Sequence, residues 1–112
     1  MLEAPKNMLG LLVQLEHETR ENPDDIQLMQ RLARLYLKNG ANEDSVRIYE
    51  KILRLEPENA LVMVELANCH IKLGHFEEVS FLLERAQELK PGFYAVFLTF
   101  SNWAFLKAIF LY

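Results

Sequence analysis

The chain has few of the residues that cross-link, chelate or break helices: one cysteine, four glycines and four prolines among 112 residues. The single cysteine, Cys69, excludes an internal disulfide and a cysteine-based zinc site, and we expect a reducing compartment, the cytoplasm. Basic residues are also scarce, with 12 Lys and Arg against 16 Asp and Glu. The net charge of -4 argues against a nucleic-acid surface, which needs a basic patch.

Sequence motifs of catalysis are also lacking. The chain contains no glycine-rich phosphate loop and no GxSxG motif. The acid pairs Asp24-Asp25 and Glu77-Glu78 stand at predicted helix starts, where capping and the helix dipole explain them. We therefore predict a protein that is not an enzyme and that needs no cofactor.

Cys69, His70 and His75 lie close together in the sequence and raise the question of a metal site. Zinc needs three or four converging ligands. His70 occupies a predicted core position and His75 follows a turn at Gly74, so we expect the two imidazoles to point in different directions. We predict no metal site, and a buried, unreactive thiol at Cys69.

What the chain does have is a repeat of 34 residues. Pro23, Pro57 and Pro91 are spaced by this period, and so are Gly40 and Gly74. Residues 23–56 align with residues 57–90 without a gap, and nine of the 34 positions are identical. Such a period is typical of arrays of a two-helix unit.

Each unit reads as a pair of helices. In the first unit, Pro23 opens a helix and Gly40 ends it, with apolar residues between them at spacings of three and four. A second apolar stripe follows up to Leu55. The pattern divides a single domain into an N-terminal capping helix (1–22), two full units (23–56 and 57–90) and an incomplete third unit (91–112).

The period and the residues at fixed places within it resemble the tetratricopeptide repeat family. Ala33 and Ala67 stand where the family has Gly or Ala, which lets paired helices approach closely. Further matches are Tyr36, Gly40, Tyr49 and Pro57 in the first unit and Leu66, Gly74, Phe76, Ala86 and Pro91 in the second. The resemblance implies an all-α fold, an α-α superhelix of antiparallel helix pairs with about six helices, in which neighbouring units stabilise one another.

The resemblance also implies a scaffold or adaptor that binds a protein partner. In the family, the first helices of successive units line a concave groove that receives a peptide or a helix. The expected groove residues are Gln27, Gln30, Arg31, Arg34, Lys38, Leu61, Val64, Glu65, Asn68, Ile71 and Lys72, continuing into Leu98, Thr99, Asn102 and Phe105. An acidic partner with an apolar anchor, or an amphipathic helix, would suit this groove. The alternative is that the basic residues form an ordinary solvated helix face.

Some family members clamp the C-terminal carboxylate of chaperones. The corresponding places here carry Gln30, Arg34, Glu65, Ala95 and Thr99. Only Arg34 has a suitable charge, and Glu65 would repel a carboxylate. We therefore do not expect chaperone binding of this kind.

The end of the sequence is unusually apolar. Residues 92–112 hold 16 hydrophobic residues out of 21, including eight of the twelve aromatic residues, and a single charge, Lys107. Three interpretations stay open: a face for self-association, a membrane segment, or a truncated or altered product in which the natural cover of this end is missing. The first two make a self-associating or membrane-attached structural protein the second hypothesis. Its face would consist of Phe97, Leu98, Phe105, Ile109 and Phe110.

Overall fold

The computed structural model describes residues 7–93 together with Ala95, Val96, Thr99, Ser101 and Ala104. Within this part of the chain there are five complete helices and no strand: α1 (Met8–Glu21), α2 (Ile26–Lys38), α3 (Asn42–Leu55), α4 (Ala60–Leu73) and α5 (Phe76–Leu89). The five residues described after Phe93 are also helical. The all-α prediction is confirmed, and the expected number of about six helices is close to the five seen complete.

The helix boundaries follow the sequence period. The odd-numbered helices α1, α3 and α5 begin at residues 8, 42 and 76, which are 34 apart. The side chains of Asn7, Asp25 and Asn59 cap α1, α2 and α4 by accepting a hydrogen bond from the backbone N–H three residues later, at 2.7, 3.1 and 3.1 Å. Helices α3 and α5 have no side-chain cap of this kind, but each carries two acidic residues in its first turn, where the helix dipole favours them.

Gly40 and Gly74 make the turn between the two helices of each unit. Both residues have positive φ, 80° and 78°, a conformation that costs little only for glycine. After Gly74, the backbone N–H of His75 donates to the carbonyl of His70 at 2.9 Å, and the chain turns back sharply. The equivalent bond after Gly40 joins the N–H of Ala41 to the carbonyl of Tyr36, also at 2.9 Å.

Each helix packs against the next one along the chain, from α1 through to α5. Close approach within a unit depends on the small residues: Ala33 and Ala67 are fully buried, and the hydroxyl of Ser45 donates to the carbonyl of Ala33 at 2.8 Å. The main core lies around α3, α4 and α5 and includes Met29 from α2. A second apolar cluster joins α1 to α2 through Leu12, Leu15, Leu32 and Leu35.

Candidate functional site

The first helices of the two full units, α2 and α4, carry the residues expected to bind a partner, and we refer to this surface as the α2–α4 face. Its exposed members are Gln27, Arg31, Arg34, Lys38, Leu61 and Lys72, and its half-buried members are Gln30, Glu65, Asn68 and Ile71. Lys38 and Lys72 both lie in the last turn of their helices, so positive charge gathers at that end of the face.

Val64 differs from the other expected groove residues because it is buried. Helix α4 has eight buried residues against four in α2, and Val64 lies in the same apolar cluster as Val96. A partner therefore cannot reach Val64 in this arrangement. Thr99 is buried as well, and its hydroxyl donates to the carbonyl of Ala95 at 2.8 Å.

Glu65 holds the two helices of the face together. Its carboxylate accepts hydrogen bonds from Arg34 (Nη2 to Oε1, 2.5 Å; Nε to Oε2, 3.2 Å), from Gln30 (Nε2 to Oε1, 3.1 Å) and from the hydroxyl of Tyr49 (2.6 Å). Three elements, α2, α3 and α4, therefore meet at one carboxylate. The side chain of Glu65 is 15% exposed and that of Arg34 is 53% exposed.

The environment of this cluster keeps Arg34 positively charged and the hydroxyl of Tyr49 protonated. The hydrogen bond to Glu65 raises the pKa of Arg34 further above its ordinary value. Burial, together with the same carboxylate, raises the pKa of Tyr49, which keeps its hydroxyl protonated as a donor. Arg34 is thus paired within the fold, and Glu65 serves as an internal bridge between helices more than as a contact for a partner.

A cavity of about 500 Å³ opens between α1 and α2, and we call it the α1–α2 cavity. Its walls are formed by Leu11 and Leu15 from α1, by Arg31, Arg34, Leu35, Leu37 and Lys38 from α2, and by Lys72 from α4. Four of these lining residues are apolar and four are basic, and the lining contains no carboxylate. The repeat pattern predicts the basic residues as groove residues but not the leucines, because these occupy ordinary positions in the apolar stripes of packed helices.

The two histidines do not point apart, and this expectation was wrong. Nδ1 of His70 lies 3.1 Å from Nδ1 of His75, and the ring centroids are 5.3 Å apart. The tight turn at Gly74 brings His75 back over the last turn of α4, which the spacing along the sequence does not reveal. Burial, with a smaller contribution from His75, lowers the pKa of His70.

Cys69 lies against Ser45 of α3. Its Sγ lies 3.3 Å from the hydroxyl of Ser45, and the thiol is buried. Burial raises the pKa of this thiol. Across the described ranges, no group of three or more His, Cys, Asp or Glu side chains is placed to hold a metal ion.

The residues proposed for self-association or membrane attachment, Phe97, Leu98, Phe105, Ile109 and Phe110, lie outside the described part of the chain, as do Asn102 and Lys107. Among the helices that are described, none is both long enough and apolar enough to cross a membrane. Ser101, at the place of the buried Ala33 and Ala67, is exposed, and so is Ala104, at the place of Tyr36 and His70.

Comparison with known protein families identifies part of the chain. A family model described as "Tetratricopeptide repeat" matches residues 40–96, from the turn at Gly40 to Val96. The matched segment contains α3, α4 and α5 and accounts for half of the chain. No curated protein matches the chain.

Proposed function

Because the chain belongs to the tetratricopeptide repeat family, whose members generally act as non-catalytic modules of protein interaction, we propose that it is a scaffold or adaptor that binds a peptide or a helix of another protein along its α2–α4 face. The proposal needs no cofactor and no covalent chemistry. Affinity would come from apolar contacts on this face, and specificity from the charged and amide groups that surround them.

The observation that carries the proposal is the bridge at Glu65. Gln30 and Arg34 reach across from α2 to the carboxylate of Glu65 on α4, so the two helices are held at a fixed spacing. A surface that is already ordered loses little conformational entropy when it binds. The α2–α4 face is therefore preorganised to receive a partner segment.

Exposed and half-buried groups on both sides of this bridge are suited to different parts of a partner. Leu61, in the first turn of α4, is 41% exposed and offers an apolar contact. Asn68 is half-buried and offers an amide that both donates and accepts. Lys38 and Lys72 lie at the other end of the helices and favour acidic residues. A segment with an apolar anchor and a neighbouring acidic stretch matches this order.

The test starts from peptides selected on the full chain from a random peptide library displayed on phage. Their affinity is then measured by fluorescence polarisation for the wild-type chain and for the variants Leu61→Asp and Asn68→Ala. We expect each variant to bind about tenfold more weakly or worse, which corresponds to about 1.4 kcal/mol. Both residues are at least partly exposed, so the fold should survive, and circular dichroism checks this.

Phe81→Asp is the matched control, because Phe81 is 69% exposed and lies on α5, away from the α2–α4 face. It should leave the affinity unchanged. If the selected peptides lose affinity through Phe81→Asp while Leu61→Asp and Asn68→Ala have no effect, binding occurs on another surface and the proposal is wrong.

A further inference from the structure

We propose that the α1–α2 cavity binds a helix of a partner protein, placed on α1 and α2 in the way that α2 itself lies on α3 and α4, and that this helix carries an acidic residue opposite Arg31. The inference rests on the proposed function only in taking the occupant to be a protein segment. The cavity shares its four basic residues with the α2–α4 face, but Leu11 and Leu15 on α1 belong to the cavity alone and Leu61 to the face alone, so variants at Leu11 and Leu61 test the two proposals separately.

The internal repeat relates the helix pair α1 and α2 to the helix pair α3 and α4. Helices α1 and α3 begin 34 residues apart and have the same length, and α2 and α4 also begin 34 residues apart. The pair α1 and α2 is therefore the structural counterpart of the pair α3 and α4. Since α2 lies on the surface formed by α3 and α4, the corresponding surface of α1 and α2 has the outline of a place for a helix.

Four residues below α2 have counterparts in the cavity. Ser45, Tyr49, Glu65 and Cys69 are linked to α2 through hydrogen bonds. Ser45 and Glu65 bond directly to α2, and Cys69 and Tyr49 bond in turn to these two. Subtracting the period of 34 gives Leu11, Leu15, Arg31 and Leu35, and all four line the α1–α2 cavity.

Among the apolar counterparts, exposure differs between the two surfaces at Leu11, whereas Leu15 and Leu35 are buried like Tyr49 and Cys69. Ser45, which lies against the carbonyl of Ala33, is fully buried, whereas its counterpart Leu11 is 36% exposed. Leu9 and Val13 are also exposed on α1, but they stand two positions from Leu11, on another side of the helix, and do not line the cavity. An occupant of the cavity would cover the apolar surface of Leu11 and lie beside Leu15 and Leu35, which are already buried.

Charge identifies the chemistry of the occupant. Glu65 receives Arg34 from the helix that lies on it, but the counterpart of Glu65 is the basic residue Arg31. At the cavity the fixed charge is therefore positive, and the occupant must supply the negative charge. The ion pairs that form between described residues do not include Arg31, Lys38 or Lys72. A matching helix needs Asp or Glu where α2 has Arg34.

The same comparison gives the remaining pattern of the occupant. In α2, the buried Met29, Leu32 and Ala33 precede Arg34. An occupant with the same placement has apolar residues at the places of Met29 and Leu32, with two residues of any kind between them. A small residue follows at the place of Ala33, and an acidic residue at the place of Arg34. The small residue is needed because Leu11 is bulkier than Ser45 and projects toward it.

A second copy of this chain fits less well. Its residues 91–112 follow the period with Phe97, Phe100 and Ser101, but the place of the acidic residue is taken by Asn102. Lys107 is the sole charge of that stretch, so it offers nothing to neutralise Arg31. The charges therefore favour a different protein, and self-association becomes an outcome of the test.

The probe is a fluorescein-labelled peptide with the sequence of residues 23–39 in which Arg34→Glu has been introduced, and the unaltered peptide is its matched control. The full chain is titrated into each peptide, and fluorescence polarisation gives the affinity. We expect the Glu peptide to bind about tenfold more tightly than the Arg peptide, as a hydrogen-bonded ion pair in a partly buried place allows. The variant Arg31→Glu should reverse this preference, and Leu11→Asp should weaken both peptides.

Both substitutions are at exposed residues, and circular dichroism of each variant verifies the fold. Equal affinity of the two peptides, or no reversal by Arg31→Glu, would overturn the proposal. Loss of binding through Leu61→Asp but not through Leu11→Asp would place the peptide on the α2–α4 face, which refutes the cavity and leaves the proposed function intact.

Sedimentation of the full chain without peptide tests for self-association. Self-association that Leu11→Asp abolishes would identify a second copy as the occupant and refute a partner protein.

Discussion

Replacing Glu65 by Ala should lower the free energy of unfolding by about 2–3 kcal/mol, chiefly through Tyr49. The hydroxyl of Tyr49 is buried and donates to Glu65 at 2.6 Å, and leaving such a donor without an acceptor costs about 1–3 kcal/mol. Arg34 is half exposed, so loss of its ion pair adds only about 0.5 kcal/mol. The bond from Gln30 adds a similar amount, and the better helix propensity of Ala returns about 0.4 kcal/mol.

The assay is urea-induced unfolding of the full chain, followed by far-ultraviolet circular dichroism. Linear extrapolation gives the free energy of unfolding, and an unchanged slope would show that only stability has changed. Glu65→Gln is the informative companion variant, because its amide oxygen can still accept from Tyr49 while the charge that attracts Arg34 is gone. We expect it to cost about half as much as Glu65→Ala.

A double-mutant cycle separates the contribution of the buried hydroxyl from the rest. Tyr49→Phe removes the donor without removing the aromatic ring, so Glu65→Ala should cost less in a chain that already carries it. We expect a coupling free energy of about 1–2 kcal/mol between the two residues. A cost below about 0.5 kcal/mol for Glu65→Ala, or two strictly additive substitutions, would show that Glu65 is not the bridge that holds these helices.

Two further predictions concern the end of α4. Gly74→Ala should lower the free energy of unfolding by about 1 kcal/mol, because φ is 78° there while nothing lies within 4 Å of an added Cβ; chemical denaturation measures it, and an unchanged stability would contradict the strain argument. His70 has a lowered pKa in the fold, so the unfolded chain takes up its proton first, near the ordinary value of 6.5. The stabilising effect of a neutral His70 is complete above that pH and is lost as the pH falls below it, so His70→Tyr should flatten the decline of Tm between about pH 7.5 and pH 5.5. An equally steep decline in the variant would assign the pH dependence to other groups.

The sequence by itself determined the helices and their order. Pro23 and Pro57 mark the period, Gly40 and Gly74 end the first helix of each unit, and Asn59 caps α4. These features act over a few residues: a cap bonds the backbone three positions away, and an apolar stripe depends only on spacings of three and four. Local chemistry therefore sufficed to predict an all-helical repeat and its family.

The tertiary structure alone decided what the expected groove residues do. Glu65 reads as an exposed acid in a groove, but packing brings it to Arg34 and Tyr49, which are 31 and 16 residues away in the sequence. Val64 reads as a groove contact, yet it is buried because α4 is covered on more sides than α2. The period predicts that Leu11 corresponds to Ser45, but whether a helix covers it depends on which elements surround α1. Hydrogen-bond partners and exposure are set by distances between helices, and no pattern along a single helix encodes those distances.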